Sequence, residues 1–390
     1  MSADADAYDE IGRFVAIDNP EGPTFEAEVR SRMRRELVVR EARERLRAWD
    51  EPEEEVDIGT LAEMLARPAP PPHRVAGLIP YEASTLLAAQ RKCGKTTVLV
   101  NLSRSMLTGE PFLDRFDVQP LTGSVAILNF EVTGHTLAVW AEQHRVPRDR
   151  LVIVNLRGRS NPLATPERRD RLAQLLRSRE TECLMTDVFG AAFTGHNEND
   201  NGEVRGFLTM LDRFARQDVG AKDLILSAHA GWGTAERSRG ASALEDWPDS
   251  ILTLTKDGEG DDAPRFLRAM GRDVSLDEDR LDYHAPTRTL RMSGAGSRER
   301  LREHHRLAPL SVLVRRAVAQ EEGIGVGQIE AAIRGMDDAP RLRNGDVSKA
   351  ARFAAERGLM RIEPGGLGLR TRHFTATPPT HPNPSPEGVG

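Results

Sequence analysis

The sequence is poor in cysteine, lysine and aromatic residues. Its two cysteines, Cys93 and Cys183, are too few for a disulfide scaffold or a cysteine-rich zinc module. No apolar run approaches the ~18 residues of a membrane span. The first ten residues are acidic and polar, unlike a signal peptide, so a soluble cytoplasmic protein is expected. Lys plus Arg total 54 against 60 Asp plus Glu, a net charge of −6. That excludes a globally basic, histone-type nucleic-acid binder and leaves such contacts to local patches. Five of the cations are lysines (Lys92, Lys95, Lys222, Lys256, Lys349) and the other 49 are arginines. Two lysines within four residues of each other mark a place where arginine does not substitute.

What is present organises the 390 residues into several parts, as expected at ~150 residues per domain. Residues 1–72 read as an appendix. Glu26–Trp49 has apolar residues at helical spacing among Arg and Glu and predicts a long charged helix. An acidic run at Asp50–Asp57, a short helix at Thr60–Ala66 and the proline-rich break Pro68–Pro72 follow. Residues 73–293 alternate short apolar runs (Thr85–Ala89, Val125–Phe130, Leu151–Val154, Cys183–Thr186, Leu224–Ala228, Ile251–Leu254) with amphipathic stretches (Lys95–Leu107, His135–Gln143, Pro166–Arg177, Glu203–Arg216). Near-continuous apolar strands between helices predict an α/β fold with a mostly parallel sheet covered on both faces. Arg265–Met270, Arg280–His284 and Thr289–Met292 predict an antiparallel end to that sheet.

Residues 294–376 read as three helices (Leu310–Gln320, Val326–Arg334, Asp346–Arg357). Two strands, Gly358–Ile362 and Leu367–Phe374, flank a turn at Pro364–Gly366. That is the outline of a winged helix-turn-helix. This segment holds 14 Arg and one Lys against 10 acids, a net charge of +5 that leaves −11 for the remainder. A basic module on an acidic chain fits contact with nucleic acid, although such folds also bind proteins. Residues 377–390 read as a disordered tail.

The sharpest signal is Ala89-Gln90-Arg91-Lys92-Cys93-Gly94-Lys95-Thr96-Thr97, placed between a predicted strand and a predicted helix. This is the context of a phosphate-binding loop, with Ala89 at its first glycine position. Backbone N–H groups would wrap the phosphates, Lys95 would reach the terminal ones, and Thr96 would ligate Mg²⁺. Cys93 reads as a small filler in that loop. Asp187 ends the apolar strand beginning at Cys183, as expected of the second metal-side carboxylate. Glu131 ends another strand and is the expected base for water, because strand carboxyl ends line one crevice in a parallel sheet. His229 ends a third, where it can sense the terminal phosphate. The loop after it, Ala230–Gly240, carries Trp232, Arg237 and Arg239, suited to stacking on bases and contacting phosphates. The loop Thr194–Gly202 is too acidic for direct phosphate contact. Arg268 and Arg272 on a late strand are candidates for an arginine finger supplied to a neighbouring subunit.

In this order, the motifs resemble the RepA-like branch of RecA-fold hexameric helicases, in particular the AAA-family ATPases of phage and plasmid replication modules. The resemblance covers roughly residues 75–293. It rests on the phosphate loop with Lys92, on Glu131, on Asp187 followed by Glu198-Asn199-Asp200, on His229, and on Arg239-Gly240-Ala241-Ser242-Ala243. The chain departs from that pattern at Ala89, at Val188 where the branch has proline, at Ala228 where it pairs two histidines, and in lacking a lysine in Ala230–Gly240. The resemblance implies a RecA-like core and favours Arg272 over Arg268 as the finger.

A phosphate loop in this setting serves three kinds of function. The first is a Mg²⁺-dependent ATP hydrolase that works as a ring-forming homo-oligomer, a hexamer, moving on or unwinding DNA beside a primase or other replication partner. The second is an ATP-gated DNA-binding regulator or helicase loader that uses the winged helix on duplex DNA. The third, a small-molecule kinase, lacks an arginine-rich lid between the motifs.

Overall fold

The computed structural model describes residues 27–35, 38, 42, 57–230, 242–260, 263–337, 339–365 and 370–376. The chain divides into two units, residues 1–69 and 70–390. In the first, residues 27–35 are helical. Helix α1 (Leu61–Ala66) is closed by a capping box in which Thr60 and Glu63 satisfy each other's backbone N–H groups. The remainder of the predicted charged helix, the loop at 231–241, Gly366 with the first residues of the last predicted strand, and the tail lie outside the described residues.

The second unit opens with a short hairpin, β1 (His73–Val75) and β2 (Ile79–Pro80). It continues through β3 (Ser84–Ala89), α2 (Lys95–Thr108), β4 (Ser124–Asn129), α3 (Gly134–Gln143), β5 (Leu151–Asn155) and α4 (Pro166–Arg177). Next come β6 (Thr181–Asp187), α5 (Phe189–Ala192), α6 (Asn201–Arg213), β7 (Asp223–His229) and α7 (Ala243–Asp246). The strands β8 (Ser250–Lys256), β9 (Arg265–Gly271), β10 (Val274–His284) and β11 (Thr289–Met292) complete a nine-stranded sheet. Its order is β11-β10-β9-β8-β3-β7-β6-β4-β5. The six strands from β8 to β5 run parallel; β9, β10 and β11 alternate in direction. This is the expected α/β architecture of a RecA-like phosphate-loop core.

The apolar runs form strands because both faces of the sheet are covered. Along β3, Leu87 and Ala89 face one core with Val98, Leu102 and Met106 of α2 and Leu137 of α3. Leu86 and Ala88 face another with Leu172 of α4 and Phe207 and Leu211 of α6. Each fully buried leucine contributes roughly 1.5–3 kcal/mol of transfer free energy. Because the strands are parallel, their carboxyl ends lie together, and β3 leaves the sheet between β7 and β8 at its centre.

Residues 298–375 carry a third apolar core. It joins α8 (Arg298–Gln320), α9 (Val326–Arg334), α10 (Asp346–Glu356) and the hairpin of β12 (Met360–Glu363) with β13 (Arg372–Thr375). Two ion pairs tie α8 to the sheet, Arg298 with Glu278 and Arg302 with Asp257.

Candidate active site

The loop after β3 is shaped before any side chain is considered. Ala89 is fully buried at the strand end and is not among the residues with positive φ, so alanine suffices there. Lys92 (φ 57°) and Gly94 (φ 107°) take left-handed conformations that curl the loop. At Gly94 a side chain would be strained by that φ rather than by its neighbours, the nearest of which would lie 3.8 Å away. Gly94 caps α2 without a side-chain hydrogen bond, leaving the first-turn N–H groups directed at the loop's mouth. Gln90 holds the loop to β8 by accepting from the Lys256 N–H at 3.1 Å. Arg265, the first residue of β9, donates from Nε to the Cys93 carbonyl at 3.1 Å. Cys93 itself is fully buried, and burial pushes its thiol up to about 11, so it is a filler and not a reactive thiolate.

The strand ends then bring the charged groups together. Ala89 is in register with His229, and Asn129 with Asp187. Lys95 Nζ lies 3.2 Å from His229 Nδ1 and 3.6 Å from Glu131 Oε1, and His229 Nε2 lies 3.2 Å from the same Glu131 oxygen. An ammonium group only donates, so Nδ1 accepts and Nε2 carries the ring proton toward Glu131. That hydrogen bond from His229, assisted by the Lys95 charge, holds the Glu131 carboxyl below the usual carboxylate range.

At the next residue of α2, Thr96 Oγ1 donates to Asp187 Oδ2 at 2.6 Å, and Ser227 Oγ donates to Asp187 Oδ1 at 2.6 Å. Asp187 is fully buried, and desolvation raises its carboxyl above the usual range despite those two hydroxyls. A hydroxyl and a carboxylate at the mouth of a phosphate loop are the hard oxygen donors that Mg²⁺ takes alongside phosphates and water. Among the described residues no group of three or more His, Cys, Asp or Glu suits a metal, so the protein supplies a partial set.

Lys95, Thr96, Glu131, Asp187 and His229 thus converge. Arg272 does not. It follows β9 at the opposite, amino end of the parallel strands, 81% exposed and paired with Asp249 at 3.3 Å. From there it cannot reach its own phosphate loop. Trp232, Arg237 and Arg239 lie outside the described residues. The acidic loop is tied to α6: Glu203 of that helix accepts from the backbone N–H groups of His196 and Asn197, and Asp200 caps it. Three further residues shape the site without a motif to mark them: Ser227, Asn129 and Arg265. The first two are isolated uncharged polar residues in largely apolar strands, a pattern that by itself does not single out a site. The contact of Arg265 depends on loop conformation, which no spacing reveals.

Fold and site together define a phosphate-loop ATPase of the RecA-like class. Residues 40–235 match the family described as AAA domain, half of the chain, and the protein belongs to that family. Among solved structures it is similar to the KaiC-like protein PH0186 of the hyperthermophilic archaeon Pyrococcus horikoshii OT3. The two share 13% sequence identity, with a TM-score of 0.41, over 57% of this chain and 99% of that one. No curated protein matches the chain in sequence.

Proposed function

We propose that the protein is a Mg²⁺-dependent ATPase that acts as a ring on DNA, as a replicative helicase does. The observation that carries this reading is that Ala230, directly after His229 of the site and directly before residues 231–241 in the chain, is anchored to the phosphate-loop strand. Ala230 N–H donates to the Ala89 carbonyl at 2.8 Å. Ala243 N–H and Ser242 Oγ donate to Asn201 Oδ1 at 3.1 and 3.3 Å. Asn201 opens the helix reached from Asp187 through α5 and the acidic loop. A change of nucleotide state at His229 would pass through Ala230 to Trp232, Arg237 and Arg239 further along the chain, which would grip a single strand.

In this reading Lys95 and the loop N–H groups hold the terminal phosphates, while Thr96 and Asp187 hold Mg²⁺, which would offset phosphate charge. Glu131, ionised at neutral pH, accepts a proton from the attacking water. Arg272 serves the site of a neighbouring copy, which makes the active species a homo-oligomer. The helical module at residues 298–375 is read as a winged helix-turn-helix.

Its separate apolar core and the positive charge of its segment favour a second reading, an ATP-gated regulator or loader that binds duplex DNA without translocating. ATP turnover measured with and without single-stranded DNA, together with duplex unwinding, separates the two. Stimulated turnover with unwinding supports the motor. Sequence-specific duplex binding without unwinding supports the regulator.

A further inference from the structure

Glu131 lies on a two-residue arc whose ends are both fixed. At one end β4 finishes in Asn129, a fully buried polar side chain at the tip of an apolar strand. Both of its side-chain heteroatoms go to one residue: Nδ2 donates to the Val132 carbonyl at 2.8 Å, and Oδ1 accepts from the Val132 N–H at 3.2 Å. Neither bond serves the sheet. Together they close a loop from residue 129 to residue 132 with Phe130 and Glu131 at its tip. The arc is also hung from the metal-side strand, because Phe130 N–H donates to the Asp187 carbonyl at 2.8 Å. Beyond it Val132 packs against the core, and Thr133 caps α3.

We infer that Asn129 is a positioning residue for hydrolysis. By clamping both backbone groups of Val132 it fixes the Cα of Glu131, so that this carboxylate meets His229 and the attacking water in one geometry. The inference rests on the hydrolytic role proposed for Glu131. Its consequence is specific: Asn129 affects turnover through Glu131 and has no separate part in holding nucleotide, which lies on the loop after β3. Misplacing a reacting group by about 1 Å costs on the order of 100-fold in rate.

The test is a double-mutant cycle on the full-length chain with ATP and Mg²⁺. Asn129→Ala should lose about 100-fold in kcat, and Asn129→Ala in a Glu131→Gln background should change the residual rate by less than about twofold, since nothing is left to position. ATP affinity of Asn129→Ala should stay at the wild-type level. Asn129→Ser leaves a cavity like that of alanine but keeps a hydroxyl acceptor for the Val132 N–H. It should therefore recover part of the lost kcat at the same melting temperature. If Asn129→Ala does not fold, the cycle is run with Asn129→Ser. A further loss in the Glu131→Gln background, wild-type kcat in the single variant, or equal kcat for Ser and Ala overturns the inference while leaving Glu131 in its role. Wild-type turnover in Glu131→Gln alone overturns that role and the inference with it.

Discussion

The two ends of the central sheet use the same residue types in opposite ways. At the amino end of the parallel strands three aspartates are each matched by an arginine: Asp223 with Arg74, Asp249 with Arg272, and Asp212 with Arg216. Ser84 and Trp247 also donate to Asp212. At the carboxyl end Asp187 is held by two hydroxyls, and among the described residues no cation pairs with it directly. Lys95, buried beside it, points instead at His229 and Glu131. One end balances its charges within the chain and braces the fold. The other leaves a carboxylate, an ammonium group and open helix N–H groups that a metal–triphosphate would complete.

This contrast can be broken from either end. The largest effect on stability should come from Arg74→Met. Asp223 is fully buried, and desolvation already raises its carboxyl, so losing its guanidinium partner should cost about 3–5 kcal/mol in urea unfolding. Adding Asp223→Asn should recover part of that cost. If the single variant unfolds like the wild type, the amino end is not a brace. At the other end, Lys95→Ala should lower ATP turnover about 10²–10³-fold and weaken ATP binding, with the chain still folded by circular dichroism.

Asp187→Asn should lose the stabilisation that Mg²⁺–ATP confers, about 2.7 kcal/mol at a hundredfold excess over Kd. Without nucleotide its stability should not fall at neutral pH. The sign follows from the raised carboxyl. Ionised Asp187 is disfavoured in the fold relative to the unfolded chain, so the penalty exists above the raised value and vanishes as pH drops below the unfolded one. A nucleotide-free variant much less stable than the wild type would make Asp187 part of the brace. The smallest effect should come from Arg272→Ala, whose exposed ion pair is worth less than about 1 kcal/mol in thermal unfolding. A loss of turnover in that variant then reports service to a second copy and should vary with protein concentration.

The same contrast explains what the sequence made legible. Strands buried on both faces read as continuous apolar runs, so β3, β4, β6 and β7 were found with the residues at their tips, and Glu131, Asp187 and His229 followed. Pro166–Arg177, Val326–Arg334 and Thr289–Met292 match their observed bounds. Strands with a wet face were harder. β10 begins at Val274, six residues before the predicted Arg280, because Ser275-Leu-Asp-Glu-Asp-Arg looks like a charged loop. The β1–β2 hairpin, of three and two residues, is too short for any periodicity. Helix α8 begins at Arg298, twelve residues before the predicted Leu310, since it runs through Pro309 and its first turns are charged. Within the site, the charged residues at or just beyond strand ends were legible. Ser227 inside β7 and Asn129 at the end of β4 were not, because a single uncharged polar residue in a strand also fits ordinary solvent-facing alternation.

In the proposed reaction these strand ends gather around a triphosphate with Glu131 set to cleave it. The most direct test measures ATP binding and single-turnover hydrolysis in parallel on Glu131→Gln. Binding should stay at the wild-type level, with hydrolysis slowed at least about 100-fold. Hydrolysis at the wild-type rate, or binding lost in proportion to hydrolysis, would contradict it.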